Sequence, residues 1–231
     1  MGLDVRVTVH EVARQLPAIS VVRDLSRAMA MAEAILCPDW ADRHYSFDAH
    51  WSDGEEMASM GDGSGDEYAV VFSAAGAYAR GFAHESWMSP YAGDGPWPGV
   101  LDEVPDVFRP CVEDPAFCDE DGTPVVTACL WRQAGDDQWR AGKIEFPEGR
   151  DDPDGARGLF RLLVAGAPEA YRDFAEDYYD VPVPLSAIRD LYALRPLTSE
   201  LVAALNPALT PADLTADATV IGYPTAARPD R

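Results

Sequence analysis

One segment of the chain combines side chains that could hold a metal or activate water. His44, Asp48 and His50 stand at even spacing, so on a β-strand they would share one face. Two further carboxylates follow closely, at Glu55 and Glu56. The spacing lacks the His-Glu-x-x-His pattern of helical zinc sites. We therefore predict no metal and no other cofactor, and keep a small hydrolase or metal-dependent enzyme on the His44, Asp48 and His50 face as the alternative.

Two other segments have the composition of a catalytic or binding loop without its pattern. His84-Glu85-Ser86 sets a hydroxyl beside a base, as acyl transfer requires, but no Gly-x-Ser-x-Gly surrounds it. Residues 61–67 alternate acids with glycines as calcium loops do, but they lack the acid spacing and the terminal Glu of such loops. We predict a flexible turn at 61–67 and no catalytic residue, which favours a protein that is not an enzyme.

Aromatic rings and carboxylates together indicate a binding surface. Trp87, Tyr91 and Trp97 alternate with glycines and prolines, and large rings anchor protein interfaces. Acids around such anchors steer a basic partner toward them. The predicted binding residues are Asp53, Glu55, Glu56, Asp62, Asp66, Glu67, Trp87 and Trp97. The same residues also suit a loop that packs down on its own sheet, and we favour that alternative for the aromatic loop.

The charge of the chain excludes several classes of partner. Eighteen basic and 40 acidic residues give a net charge of −22, which opposes nucleic acid and anionic membrane surfaces. Residues 37–154 hold 26 of the acids and seven of the bases, so −19 of the −22 lies there. This concentration favours a specific acidic face, although solubility or a salt-adapted host would also produce acidity. The chain contains a single Lys, Lys143, and a single Asn, Asn206. This bias is typical of GC-rich bacterial genomes.

Hydrophobic periodicity predicts an α+β fold. Apolar residues at helical spacing predict a helix from Ser20 to Leu36, after a shorter helix that a Thr8–Glu11 capping box would start. The period then changes to two, which predicts a strand over 44–51 and hairpins over 67–83 and 123–146. From 155 the pattern is helical, with Thr198 and Thr210 as expected helix caps. The sequence therefore predicts an antiparallel sheet built from hairpins, with N-terminal helices packed on it and a C-terminal helical segment.

This layout predicts one domain over residues 1–225 and a tail over 226–231. The domain would comprise a helical part (1–36), an acidic sheet region (37–154) and a second helical part (155–225). No apolar stretch is long enough to cross a bilayer, and the N-terminus lacks the layout of a signal peptide, so we expect a cytoplasmic protein. The four cysteines form no Cys-x-x-Cys pair and are expected to be reduced.

Three segments are similar to a widespread bacterial family of uncharacterised proteins: Trp51–Met60, Gly63–Tyr68 and Cys129–Arg132. That resemblance implies no catalytic residue. In size, acidity and layout the chain also resembles the immunity proteins of bacterial toxin systems. The leading hypothesis is thus a non-catalytic cytoplasmic domain whose acidic face binds a basic protein, as an immunity protein covers the positive active site of a nuclease.

Overall fold

The computed structural model describes residues 6–225, and the predicted tail at 226–231 lies outside them. The secondary structure begins with helices, continues with strands and returns to helices. In chain order the main elements are α1 (Val9–Gln15), α2 (Ile19–Leu36), β1 (Tyr45–Ser52), β2 (Glu55–Gly61), β3 (Glu67–Ser73), β4 (Gly76–Phe82), α3 (Arg109–Val112), β5 (Ala128–Gln133), α4 (Ala156–Leu159), α5 (Arg161–Ala165), α6 (Pro168–Tyr179), α7 (Leu185–Tyr192), α8 (Ser199–Leu205) and α9 (Thr215–Ile221). Short 3₁₀ turns lie at Trp40–Asp42, Pro90–Ala92, Asp106–Phe108 and Pro115–Phe117.

The five strands form one antiparallel sheet in sequential order, which confirms the predicted α+β class. β3 and β4 pair as the expected hairpin, with Val70 opposite Ala79. β4 is buried along its whole length and pairs on its other side with β5. Gly76 closes the hairpin at φ +135°, and a Cβ there would lie 2.1 Å from the Arg132 carbonyl oxygen. The turn therefore requires glycine at this position.

Two parts of the sheet differ from the expectation. β2 was not predicted, because only Ala58 and Met60 of its residues are buried, which is too short a run to show a period of two. The hairpin predicted at 123–146 is wrong in its second half: only β5 is a strand, and the return is a single bridge between Trp131 and Arg140. The chain then leaves the sheet, because the backbone at Gly142 passes directly against Gly99.

The predicted helices are present, but some of the predicted capping residues do not cap them. α2 and the C-terminal helices are present, and Thr198 caps α8 by accepting from the Leu201 amide at 3.1 Å. Thr8 precedes α1 but its side chain makes no cap; the Asp154 carboxylate accepts from the Val9 amide at 2.8 Å instead. Thr210 bonds Asp213 within a turn before α9. The capping residues Thr8 and Thr198 thus marked the starts of α1 and α8 correctly, but only Thr198 supplies the capping atom.

The chain divides into two compact units. Unit 1 contains the residues up to 19 together with 59–164, and unit 2 contains 20–58 together with the residues from 165 onward. The division falls within β2. The predicted single domain over 1–225 stays a prediction.

Asp154 organises the hydrogen bonds of unit 1. Its fully buried carboxylate accepts from the amides of Val9 and Ala156, so it caps α1 and α4 together. Its carbonyl oxygen accepts from the buried Thr127 hydroxyl at 2.8 Å, and that hydroxyl accepts from the Ala83 amide. Burial raises the pKa of Asp154 to about 6, against the opposing effect of the two capped amides.

Glu33 has the same role in unit 2. It is fully buried on α2, and its carboxylate accepts from the hydroxyls of Tyr171 and Tyr179 on α6 and from the amides of His44 and Tyr45 at the start of β1. Burial raises the pKa of Glu33, and these four donors oppose the rise. The Glu33 side chain therefore links α2 to α6 and to the start of β1.

All four cysteines lie within the described residues and are free thiols, two of them buried. Burial raises the pKa of Cys129 to about 12, so this thiol stays protonated at neutral pH. Between residues 6 and 225, no helix has both the length and the apolar character that crossing a membrane requires.

Removing one donor from Glu33 should destabilise the protein measurably. Tyr171→Phe leaves the Glu33 oxygen that is 2.7 Å from the Tyr171 hydroxyl without that donor. Because bonds to a buried carboxylate are charge-assisted, we expect the free energy of unfolding to fall by about 1.5–3 kcal/mol in urea denaturation at pH 7. Tyr91→Phe is the control, since Tyr91 is 63% exposed. Equal midpoints for the two variants would contradict the role given to Glu33.

Asp154 should make stability depend on pH between about 4 and 6. Its pKa is raised from 3.8 to about 6 on folding, so in this window the folded chain binds more protons than the unfolded chain. The stability that Asp154 contributes is therefore complete below its unfolded pKa of 3.8 and is lost as the pH rises through its folded pKa of about 6. We expect the free energy of unfolding of wild type, relative to Asp154→Asn, to fall by about 2 kcal/mol between pH 4 and pH 7.

The matched control for this pH series is Asp137→Asn, at an exposed position in the loop after β5. Its difference from wild type should stay constant across the series. Parallel curves for wild type and Asp154→Asn would show that burial does not shift the titration of Asp154.

Candidate functional site

The structure does not bring His44, Asp48 and His50 together as the predicted enzyme face requires. His44 and His50 are six residues apart on an extended strand, which separates their Cα atoms by about 20 Å. His44 is also buried, in contact with the rings of Tyr45 and Phe174, so it does not share an open face with His50, which is exposed. Within the described part of the chain, no three His, Cys, Asp or Glu side chains are grouped closely enough to hold a metal ion.

The predicted acidic residues lie at the two loops that flank β2. Asp53 is exposed and Glu55 half-buried at the β1–β2 turn, and Glu56 forms ion pairs with Arg27 and Arg23. The ion pairs of Glu56 neutralise much of its charge, which leaves Asp53 and Glu55 as the acids of this turn that a partner would meet.

The β2–β3 loop and the first residue of β3 supply the other three predicted acids. Asp62 folds the loop by accepting from the amides of Ser64, Gly65 and Asp66. Burial would raise the pKa of Asp62, but the Ser64 hydroxyl and these amides together lower it. The Asp66 carboxylate accepts from His84 Nδ1 at 2.8 Å, and this bond raises the pKa of His84. Glu67 pairs with Arg80 at 2.5 Å. These acids serve the fold of unit 1.

The predicted aromatic anchors are brought together but are partly occupied. Trp87 and Trp97 both line a cavity of about 340 Å³ formed by the loop 87–98. Trp87 is 51% exposed, and the Arg150 guanidinium lies over its ring at 4.6 Å. Trp97 Nε1 donates to the Glu145 carbonyl at 2.9 Å. The loop is thus held down by contacts within unit 1, as one of the two interpretations expected.

A more exposed aromatic side chain lies in unit 2. Pro38 cannot continue α2, and Asp39 then caps the 3₁₀ turn Trp40–Asp42 by accepting from the Ala41 amide at 3.1 Å. Trp40 is 71% exposed, more than the other large hydrophobic side chains of the described residues. The turn between α2 and β1 therefore presents an indole ring to solvent.

Arg43 holds this turn rigid. Its guanidinium donates to the carbonyl oxygens of Cys37 at 2.9 Å and Pro38 at 3.0 Å, and to the Asp217 carboxylate on α9 at 2.5 Å. The Arg43 side chain is only 7% exposed, whereas the Asp217 carboxylate that it pairs with is 27% exposed, so the pair lies partly in solvent. Trp40 is thereby exposed on a backbone that is fixed at both ends.

A cavity of about 350 Å³ lies beside the ring. Its surface is mostly apolar, and its lining includes the polar side chains of Arg43, Ser46 and Asp217. Val220 on its edge is 49% exposed. The lining consists of Ala30, Trp40, Arg43, Tyr45, Ser46, Phe47, Ala216, Asp217, Val220 and Ile221. We call Trp40, this cavity and the neighbouring exposed carboxylates of Asp39 and Asp42 the Trp40 surface.

Sequence reasoning missed the Trp40 surface although a signal was present. The segment Asp39-Trp40-Ala41-Asp42 places an aromatic ring between two acids, the criterion that was applied to residues 87–97. Its position directly after a helix that Pro38 stops indicates a tight, exposed turn. The cavity could not be found this way, because its walls come from three distant segments of the sequence.

Comparison of the chain with protein-family models, with curated proteins and with solved structures finds no match. The resemblances to a bacterial family and to immunity proteins therefore stay predictions, and the function is argued from the geometry alone.

Proposed function

We propose that the chain is a non-catalytic protein-binding domain whose Trp40 surface receives a basic protein. The observation that carries the proposal is a Trp that is 71% exposed on a rigid turn beside an apolar cavity. The partner would place an apolar side chain in the cavity and basic side chains opposite Asp39 and Asp42. An immunity protein that covers a nuclease is one member of this class.

The energetics of interfaces favour such an arrangement. Interface Trp residues are frequent hot spots, and truncating one commonly costs about 2 kcal/mol or more of binding energy. Because Arg43 and Asp39 already fix the turn, little backbone entropy is lost when a partner covers the ring. Arg43 is itself paired with Asp217, so the charges left for a partner at this turn are the two exposed carboxylates.

The overall charge supports fast association with a cation. At −22 the chain attracts basic proteins over a distance set by the Debye length, about 8 Å at physiological ionic strength. Long-range attraction brings the partner close, and the Trp40 surface would then determine where it binds. A salt-adapted protein of unrelated function would attract basic proteins in the same way but would have no specific surface to bind them.

The proposal is tested by selecting random displayed peptides on the purified protein. We expect enriched peptides to carry an aromatic or large aliphatic residue close to Lys or Arg. By calorimetry, Trp40→Ala should weaken their binding about 30-fold, the equivalent of about 2 kcal/mol. Replacing Asp39 and Asp42 by Asn should weaken binding less and flatten its salt dependence.

Trp87→Ala is the matched control, since Trp87 is the other strongly exposed indole among the described residues and lies in unit 1. It should leave the affinity unchanged. Both variants should unfold within about 0.5 kcal/mol of wild type, because exposed side chains contribute little to stability. Peptides without basic residues, or peptides that bind Trp40→Ala as tightly as wild type, would contradict the proposal.

A further inference from the structure

The loop 87–98 of unit 1 forms a cavity that the proposed function does not use. Its volume of about 340 Å³ lies within the usual range for small-molecule sites. The lining combines two indole rings, from Trp87 and Trp97, with the carboxylate of Asp94 and with small residues and prolines. We call it the indole cavity.

Both indole rings keep surface that an occupant can contact. Trp87 is 51% exposed with the Arg150 guanidinium in place over its ring, and Arg150 does not line the cavity. Trp97 is half-buried, and its Nε1 already donates to the Glu145 carbonyl at 2.9 Å. Because that N–H is the one polar group of its ring, Trp97 offers aromatic surface to the cavity.

The loop that carries the rings is fixed at both ends. Near its start, the buried Ser89 hydroxyl accepts from the Tyr91 amide at 3.4 Å. After its end, the Gly99 amide donates to the Asp102 carboxylate at 3.0 Å, and a Cβ at Gly99 would lie 2.1 Å from the Lys143 carbonyl oxygen. A ligand that enters the cavity therefore has little loop backbone to order.

The charge of the cavity favours a cation. Asp94 is exposed, and no Lys or Arg within residues 6–225 forms an ion pair with it. The faces of indole rings are also negative, and they attract cations within about 6 Å. The position of Arg150 shows that the Trp87 ring receives a cation in this protein.

We propose that the indole cavity binds the trimethylammonium group of a small molecule of the choline type. Such a group has no N–H, so it needs no hydrogen-bond acceptors, and aromatic rings are its usual binding surface. A primary ammonium is strongly hydrated and carries three N–H donors, which the carboxylate of Asp94 cannot all satisfy. The cavity therefore selects against ordinary Lys side chains. The peptides that test the Trp40 surface carry no quaternary ammonium, so Trp87→Ala remains a valid control there.

The test uses choline as the probe on the full chain labelled with ¹⁵N. Ethanolamine is the primary-ammonium analogue, and 3,3-dimethylbutan-1-ol is the neutral analogue of the same shape. Six Trp residues give six indole N–H signals. We expect choline to shift the signals of Trp87 and Trp97 in a saturable way at millimolar concentration, and to bind about tenfold more tightly than either analogue.

Two variants separate the contributions of the ring and of the charge. Trp87→Leu keeps an apolar side chain but removes the aromatic face, so it should weaken choline binding about tenfold. Asp94→Asn should weaken it about threefold and flatten its salt dependence. Both positions are exposed, so the urea midpoints should stay at the wild-type value.

Asp137→Asn is the matched control for the charge, because Asp137 is an exposed acid that does not line the cavity. It should bind choline as wild type does. Absence of saturable shifts, equal affinity for either analogue, or unchanged affinity in both cavity variants would overturn the proposal.

Discussion

The geometry of unit 2 depends on one buried carboxylate. Glu33 is the single acid on the apolar face of α2, and burying an ionised carboxylate without partners would cost more than the helix could recover. It is tolerated because both oxygens accept hydrogen bonds, from two tyrosines of α6 and from the first amides of β1. Those amides lie at the end of the turn that begins where α2 stops. Glu33 therefore fixes both the departure and the return of the segment that presents Trp40.

A second charged residue completes the same turn from the other side. The Arg43 side chain is mostly buried, and it donates to two backbone carbonyls and to the Asp217 carboxylate, which is 27% exposed. A partly buried ion pair adds little net stability, but removing Asp217 would leave the mostly buried Arg43 charge without its carboxylate. Such a pair specifies geometry more than it adds energy. This explains how an indole that is 71% exposed can stand on a well-defined backbone.

The sequence predicted those elements whose side chains repeat over many residues. α2, β1 and the β3–β4 hairpin have long, regular periods, and all are present. β2 was missed because it begins with the charged residues Glu55 and Glu56 and has only two buried positions, too few to show an alternating pattern. The strand expected around Ile144 failed because the close contact of Gly142 with Gly99 is a tertiary constraint. For the same reason, no local pattern could show that Trp40 is exposed while Trp131 and Trp139 are buried.

The acidity of the chain has a local cause in addition to any role in steering. With Asn206 as the only Asn, the turns and helix starts that usually take Asp or Asn must use Asp. Between residues 6 and 225, the side chains of eleven aspartates accept from backbone amides: Asp39, Asp48, Asp62, Asp66, Asp102, Asp114, Asp119, Asp136, Asp152, Asp154 and Asp213.

Ten of these eleven lie in residues 37–154, the region with most of the turns and most of the negative charge. Turn chemistry therefore accounts for part of the charge concentration that pointed to a specific acidic face. An aspartate that caps a turn keeps its charge, so it still adds to the field around the protein. Its position, however, is set by the backbone. Charge alone thus cannot locate a binding surface in this chain, and the proposed Trp40 surface is defined instead by an exposed indole beside an apolar cavity.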